Sequence, residues 1–349
     1  MSATDASPPP FPPPQAGEGQ AGGITRRIDW RPLALVPLLI LIALPLTGSP
    51  STWATLTLAG LAMGMMIFIM ASGLTLVFGL MDVLNFGHGA FISLGAYTTT
   101  LLLIPLSGWL AADSLTLNVL ALLAMIALAM LITGIAGWFF ERVIIKPVYG
   151  RHLHQILVTV GGLIVAQQII IVLWGPVQIA MPLPAALRGI VVFGDIAIER
   201  YRLIAVLIGL VVFGGMLLVL NRTKIGLLIR AGVENREMVE ALGYHVDRLF
   251  VGVFVAGSAL AGLGGVMWAF YREALTPGMG LELLVLIFIV VIIGGLGSVG
   301  GCFIGALLVA LTANYTGFLA PKLALGSNIL LMVAILLWRA RGLYPVANR

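Results

Sequence analysis

Asp82-Val83-Leu84-Asn85-Phe86-Gly87-His88-Gly89 is a polar, glycine-rich interruption in a stretch that is otherwise almost wholly apolar. Between Arg31 and Asp113 the only ionised side chain is that of Asp82, and the only imidazole is that of His88. In hydrocarbon, backbone that leaves the helix finds no water, so a break of this kind is tolerated only where it is buried in protein or lines a cavity. The stretch therefore predicts helices that cross a membrane, with one broken element among them as a candidate transport path.

Composition agrees with that reading. Of 349 residues, 60% are hydrophobic and 9% are charged, and the mean hydropathy is +1.10, whereas about a quarter of a soluble domain is charged. The expected class is an all-α polytopic membrane protein. A single cysteine, Cys302, excludes an intramolecular disulfide and any cysteine-rich metal or cluster site. The net charge of +5 is no argument for a nucleic-acid partner, because in a membrane protein basic residues first report orientation.

Ten apolar segments fall near 32–48, 54–80, 88–106, 117–140, 154–174, 203–220, 249–270, 283–296, 302–319 and 325–338. Each is roughly the length a bilayer asks for or somewhat shorter. About eight to ten transmembrane helices are expected, with broken or re-entrant elements near 82–90 and 294–301. The first segment, with Pro32, Pro37 and Pro45, and the short pair flanking Gly294–Gly301 are alternatively re-entrant or interfacial. Ten crossings put both termini on one side. That side then holds fourteen basic residues, among them Arg142, Lys146, Arg151 and Arg248, against Arg188, Arg200, Arg202, Arg272 and Lys322 on the other. The excess marks it as cytoplasmic.

Residues 1–31 differ in kind. Ser7 to Gln15 is proline-rich and the segment lacks apolar periodicity, so a disordered cytoplasmic tail is expected ahead of a transmembrane domain over 32–345. Arg26-Arg27 before an apolar run has the outline of a twin-arginine signal, but no small-residue cleavage site follows and further spans do. It reads as an uncleaved anchor.

One loop concentrates charge. Asn221 to Arg248 carries five basic and four acidic residues. Within it, Glu234 to Leu242 suits a short amphipathic helix, with Ile229, Val233, Met238 and Leu242 as the apolar stripe and Gly243 to end it. The plainer alternative is a solvated surface loop.

The polar break also has two readings. Asn85 donates and accepts, His88 donates, accepts or titrates, and Gly87 and Gly89 let backbone approach a solute closely. Alternatively, both side chains bond neighbouring helices and the glycines serve packing. A second broken turn, Gly294-Gly295-Leu296-Gly297-Ser298-Val299-Gly300-Gly301, enters an apolar helix as the first does. Gly89 to Ala96 and Gly301 to Ala306 share Phe-Ile and a closing Gly-Ala, and paired interruptions point to a transport path. The candidate path or gate is thus Asn85, Gly87, His88 and Gly89 with Gly294, Gly295, Gly297 and Ser298, both turns being expected at the cytoplasmic side. Asp82 needs no role beyond the membrane boundary.

Other chemistry is not indicated. Lys146, Lys224 and Lys322, the only lysines, follow Ile, Thr and Pro, so no Walker A segment exists and the chain does not hydrolyse ATP by that route. His152 and His154, two apart, do not share a helix face, so no metal or cofactor is expected. Ser258 and Ser298 have no base and acid partners in sequence. Trp53, Trp109, Trp174, Trp268 and Trp338 fall near segment ends, as interfacial anchors do.

Gly73 to Asp82, leading into Asn85 to Tyr97, resembles the signature of the membrane subunits of branched-chain amino acid ABC importers, specifically the LivH-type permease. Glu141-Arg142-Val143 with Lys146-Pro147-Val148, Arg230-Ala231 through Gly243, Gly294 through Gly301 and Gly342-Leu343-Tyr344 resemble further family blocks, in the same order. The resemblance spans about 54–345. It implies a non-catalytic inner-membrane subunit, two partner ABC ATPases, a second LivM-like permease and an extracytoplasmic solute-binding protein. It implies that Arg230, Glu234, Arg236, Met238, Glu240, Leu242 and Gly243 couple to an ATPase. Branched-chain amino acids are the substrates the resemblance implies first, with urea, short amides and aromatic acids as alternatives. An ATP-independent transporter is the more distant alternative, since the bilayer segments lack the buried charges that ion coupling uses.

Overall fold

The computed structural model describes residues 30–344 except 235, so the expected proline-rich tail lies almost wholly outside the described residues. The helices are α1 (Arg31–Leu46), α2 (Pro50–Met81), α3 (His88–Thr98), α4 (Thr100–Leu103), α5 (Ser107–Ala111), α6 (Leu115–Phe140), α7 (His152–Trp174), α8 (Arg200–Arg222), α9 (Lys224–Glu234), α10 (Arg236–Ala241), α11 (Val246–Arg272), α12 (Met279–Gly294), α13 (Val299–Leu319) and α14 (Ala324–Trp338). A π turn, Glu141–Ile145, and a 3-10 turn, Lys146–Val148, prolong α6. The described residues also include four short strands, β1 (Ile179–Ala180), β2 (Ile190–Phe193), β3 (Ile196–Glu199) and β4 (Ala274–Leu275), and 3-10 turns at Ala185–Arg188 and Pro321–Leu323.

Among the described residues, six helices are long and apolar enough to cross a membrane: α2, α6 with its extension to Val148, α7, α8, α11 and α13. Shorter apolar helices cover 31–46, 279–294 and 326–338. The expectation of an all-α polytopic membrane protein therefore holds. The segment expected to cross at 88–106 is instead two pieces, α3 and α4.

The longest helix is the centre of the fold. The Ser49 hydroxyl accepts the Thr52 amide at 3.2 Å and Pro50 takes the first helical position, which together fix the start of α2. Its 32 residues extend about 48 Å, and residues 66–71 are wholly buried. A helix apolar all round belongs inside, and α2 is packed between α13 on one side and α11 on the other. Close approach needs small residues there: a Cβ on Gly73 would collide with the Gly257 carbonyl of α11. By contrast, α7 and α8 leave most of their apolar surface uncovered.

The connections gather at two ends. At one, the α12–α13 turn meets the last turn of α2, where a Cβ on Gly79 would stand 2.5 Å from Gly297 Cα. The C-terminal stretch closes over the same turn, with Leu343 and Tyr344 amides donating to Ile293 and Gly294 carbonyls at 2.9 and 3.0 Å. At the opposite end β1 pairs antiparallel with β4, Ile179 opposite Leu275, and β2 with β3. Trp53 and Trp174, expected as interfacial anchors, donate their indole N–H inside the protein, to Ile40 O and Thr100 Oγ1, each at 2.8 Å.

Candidate functional site: a re-entrant break in the helix core

Asp82 ends α2 in the left-handed region, φ 54° and ψ 34°, a conformation Asp tolerates better than most residues. The chain then reverses. Its next helix, α3, begins at His88, whose Nε2 lies 2.9 Å from the Met70 carbonyl oxygen. Met70 stands eleven residues before Met81, the last residue of α2, which is about 16 Å along the helix axis. The six residues 82–87 span at most about 20 Å when extended. The break is therefore a climb back along α2, and it brings the His88 ring to Met70, about a third of the helix length from its end.

This corrects the expectation that both broken turns lie at one end. Asp82 and Gly297 do; the His88 ring does not. The climb depends on a left-handed residue and one long-range contact, neither of which has a sequence period.

The polar groups it buries are only partly matched. The Met70 carbonyl can only accept, so His88 Nε2 donates, and Nδ1 is left as an acceptor. Nδ1 and both polar atoms of Asn85 have no hydrogen-bond partner among the described residues, although both residues are 0% exposed. The packing alternative thus accounts for one nitrogen of His88 and for nothing on Asn85. The glycines do pack: a Cβ on Gly89 would stand 2.5 Å from the Gly280 carbonyl of α12, and one on Gly87 2.5 Å from Phe140 Cζ.

Residues that sequence reasoning passed over complete the surroundings. The Phe86 amide donates to Thr159 Oγ1 at 3.2 Å, and Thr159 donates to the Gln155 carbonyl at 2.7 Å. Gln155 Oε1, also buried, has no partner among the described residues. Their i, i+4 spacing in the apolar run of α7 was the available signal. The rings of Phe91, Phe140 and Phe254 pack together with centroids 5.4 to 6.2 Å apart. They form an aromatic layer beside Gly87.

The second break is a different object. Gly295 and Gly297 have φ 94° and 79°, a region open to glycine. Ser298 Oγ caps α13 by accepting the Gly301 amide at 3.1 Å. A Cβ on Gly294 would stand 2.5 Å from the Cys302 amide nitrogen. Gly294 to Ser298 thus make a tight hairpin between α12 and α13 rather than a climb. Helix α12 joins both breaks, beginning against Gly89 and ending against Gly301.

The charged loop is helical on either side of residue 235, over α9 and α10, so helix begins ten residues before the start expected at 234. Gly243 follows with φ 87° and its amide donating to Glu240 at 2.9 Å, an αL helix end. Ile229 is buried as expected, but the inward residue of α10 is Val239. Met238 and Leu242 are 62% and 67% exposed. Arg230, Glu234 and Arg236 belong to α9 and α10, and their side chains lie outside the described residues. Helix α9 packs on α8, α11 and α2.

Residues 56–337 match the family model described as branched-chain amino acid transport system, permease component. A relative in Pseudomonas aeruginosa, the high-affinity branched-chain amino acid transport system permease protein BraD, is 27% identical over 262 residues, 73% of this chain and 83% of its own. The corresponding protein LivH of Escherichia coli is 25% identical over 295 residues, 81% and 92% of the two chains. A probable LivH of Methanocaldococcus jannaschii is 25% identical over 294 residues, 80% and 89%. No solved structure matches. The match of the family model over residues 56–337, break and charged loop included, means that the chain belongs to the branched-chain amino acid transport permease family, as a LivH-type member.

Proposed function

We propose that this chain is the membrane permease subunit of an ATP-binding-cassette importer, and that its translocation path for branched-chain amino acids passes the re-entrant break at Asn85–Gly89. The observation that carries the reading is the burial of unpartnered groups inside the helix core, Asn85 Nδ2 and Oδ1 and His88 Nδ1. Such groups are costly in a dry interior and are matched when a solute with an ammonium and a carboxylate passes. Helix α12, seated on both breaks, is the element whose movement opens the path; the hairpin Gly294–Ser298 is its pivot.

Energy enters through α9 and α10. The exposed apolar pair Met238 and Leu242, with Glu237 and Glu240 beside them, suits a groove on a partner ATPase, with Arg230, Glu234 and Arg236 adding charged contacts. The packing of α9 on α2 and α11 supports a rigid transfer of motion to the break. Ten of the sixteen described basic residues gather at this end, against five at the other and Arg31 at the start of α1, which supports placing it, with both termini, on the cytoplasmic side of the bacterial inner membrane. The outer end receives substrate from a solute-binding protein, and a second, LivM-like permease covers the uncovered faces of the bundle; the rest meets lipid.

Reconstitution tests the reading. Vesicles carrying the chain, the sister permease and both ATPases are expected to accumulate leucine only with ATP inside and binding protein outside. Full uptake without ATP would overturn it.

A further inference from the structure

A cavity of about 320 Å³ opens at the α9–α10 end, lined by Glu141, Arg142, Lys146, Tyr149, Asp247, Arg248, Phe250 and Val251. Its volume is in the range of small-molecule sites. Its walls come from the π turn after α6 and the first turn of α11. That turn holds the i→i+5 bond of Lys146 to the Glu141 carbonyl, and π turns of this kind recur at functional sites.

The lining has an uncommon balance. Glu141 is 3% exposed, and its Oε2 has no hydrogen-bond partner among the described residues. Arg142, Lys146 and Arg248 are exposed beside it, yet among the described residues none forms an ion pair with it; the guanidinium of Arg142 lies instead 5.7 Å from the Trp138 ring centre. A buried carboxylate oxygen without a hydrogen-bond partner calls for a ligand carrying a hydrogen-bond donor of positive charge. Asp247 is the other carboxylate of the lining, so its three cations outnumber its two acids and favour a negative group on the same molecule. Phe250 and Val251 supply apolar wall.

We infer that this cavity is an exit-side binding site for a free α-amino acid zwitterion, its ammonium on Glu141 and its carboxylate facing Arg142, Lys146 and Arg248. Phe140, whose ring presses against Gly87 of the break, is the residue directly before Glu141. The site therefore lies immediately beyond the aromatic layer of Phe91, Phe140 and Phe254, where a solute leaving the break arrives. Phosphate, which has no positive group, does not satisfy Glu141.

The inference rests on the transport reading for its ligand, but its test is separate. Equilibrium binding is measured on the full chain in nanodiscs with leucine, leucinamide, which lacks the carboxylate, and 4-methylpentanoate, which lacks the ammonium. Leucine is expected to bind at least tenfold more tightly than either analogue. Glu141→Gln is expected to weaken leucine and leucinamide at least tenfold while sparing 4-methylpentanoate; Lys146→Gln is expected to weaken leucine and 4-methylpentanoate and spare leucinamide. Opposite selectivities cannot come from misfolding, which loses all three ligands together. No saturable leucine binding, equal leucine binding by Glu141→Gln, or displacement of leucine by equimolar inorganic phosphate would overturn the site. Should ATP-driven uptake fail while this pattern holds, the transport reading falls and the site stands; uptake with no such pattern is the converse.

Discussion

His88 Nε2 reaches the Met70 carbonyl across eighteen residues of sequence, at 2.9 Å. This one contact turns a helix break into a re-entrant element, because it fixes the start of α3 against Met70 of α2. It also divides the imidazole: one nitrogen holds the fold, while the other, like both polar atoms of Asn85, has no hydrogen-bond partner among the described residues.

The two polar residues of the break should therefore separate in their effects. Asn85→Leu removes two buried polar atoms that have no partner among the described residues, and replacing such groups by apolar ones is close to neutral or stabilising. Its melting temperature in detergent is expected to equal or exceed that of the wild type, while leucine uptake falls at least tenfold. A variant that loses stability and uptake together would show Asn85 to be a packing residue.

His88→Leu, in contrast, gives up the Met70 contact. A net loss of about 1 kcal/mol is expected from one hydrogen bond, read as a lowered melting temperature, together with reduced uptake. An unchanged melting temperature would mean the contact does not hold α3 in place.

Gly280 and Gly89 touch backbone to backbone. Gly280→Ala drives a methyl group into the Gly89 carbonyl, which cannot swing aside as a side chain would. Overpacking of this kind costs about 1 to 3 kcal/mol, and the expected result is a destabilised chain with impaired uptake. Gly300, with nothing near its would-be Cβ, is the control: Gly300→Ala is expected to leave the melting temperature unchanged.

The exposed pair of the α9–α10 region predicts the reverse pattern. Met238→Asp and Leu242→Asp alter surface positions, so stability is expected to move by no more than about 0.5 kcal/mol. Co-purification with the ATPase subunits and ATP-driven uptake are expected to fall at least tenfold. Retained co-purification would place the docking surface elsewhere.

Much of this molecule is legible in its sequence because hydrocarbon imposes period and length. All but one of the apolar segments correspond to helices, and Asp82–Gly89 stands out by composition alone. The depth of the break is not legible. It follows from the left-handed Asp82 and from Met70, a residue indistinguishable in sequence from its apolar neighbours. Gln155 and Thr159 were visible as an i, i+4 polar pair, yet only folding brings Thr159 to the Phe86 amide. In the charged loop the expected stripe continued through Met238 and Leu242; Val239 faces inward instead and those two are exposed.

The chain offers a direct probe of its central feature, since Cys302 is its only cysteine and is buried. Asn85→Cys in a Cys302→Ala background, assembled with both ATPases and the sister permease in vesicles, is treated with a small membrane-impermeant thiol reagent during turnover. If the break lines the path, the introduced thiol is modified during ATP turnover and saturating leucine slows the modification. A thiol that stays unmodified in every nucleotide state, in an assembly that still transports, would contradict the account.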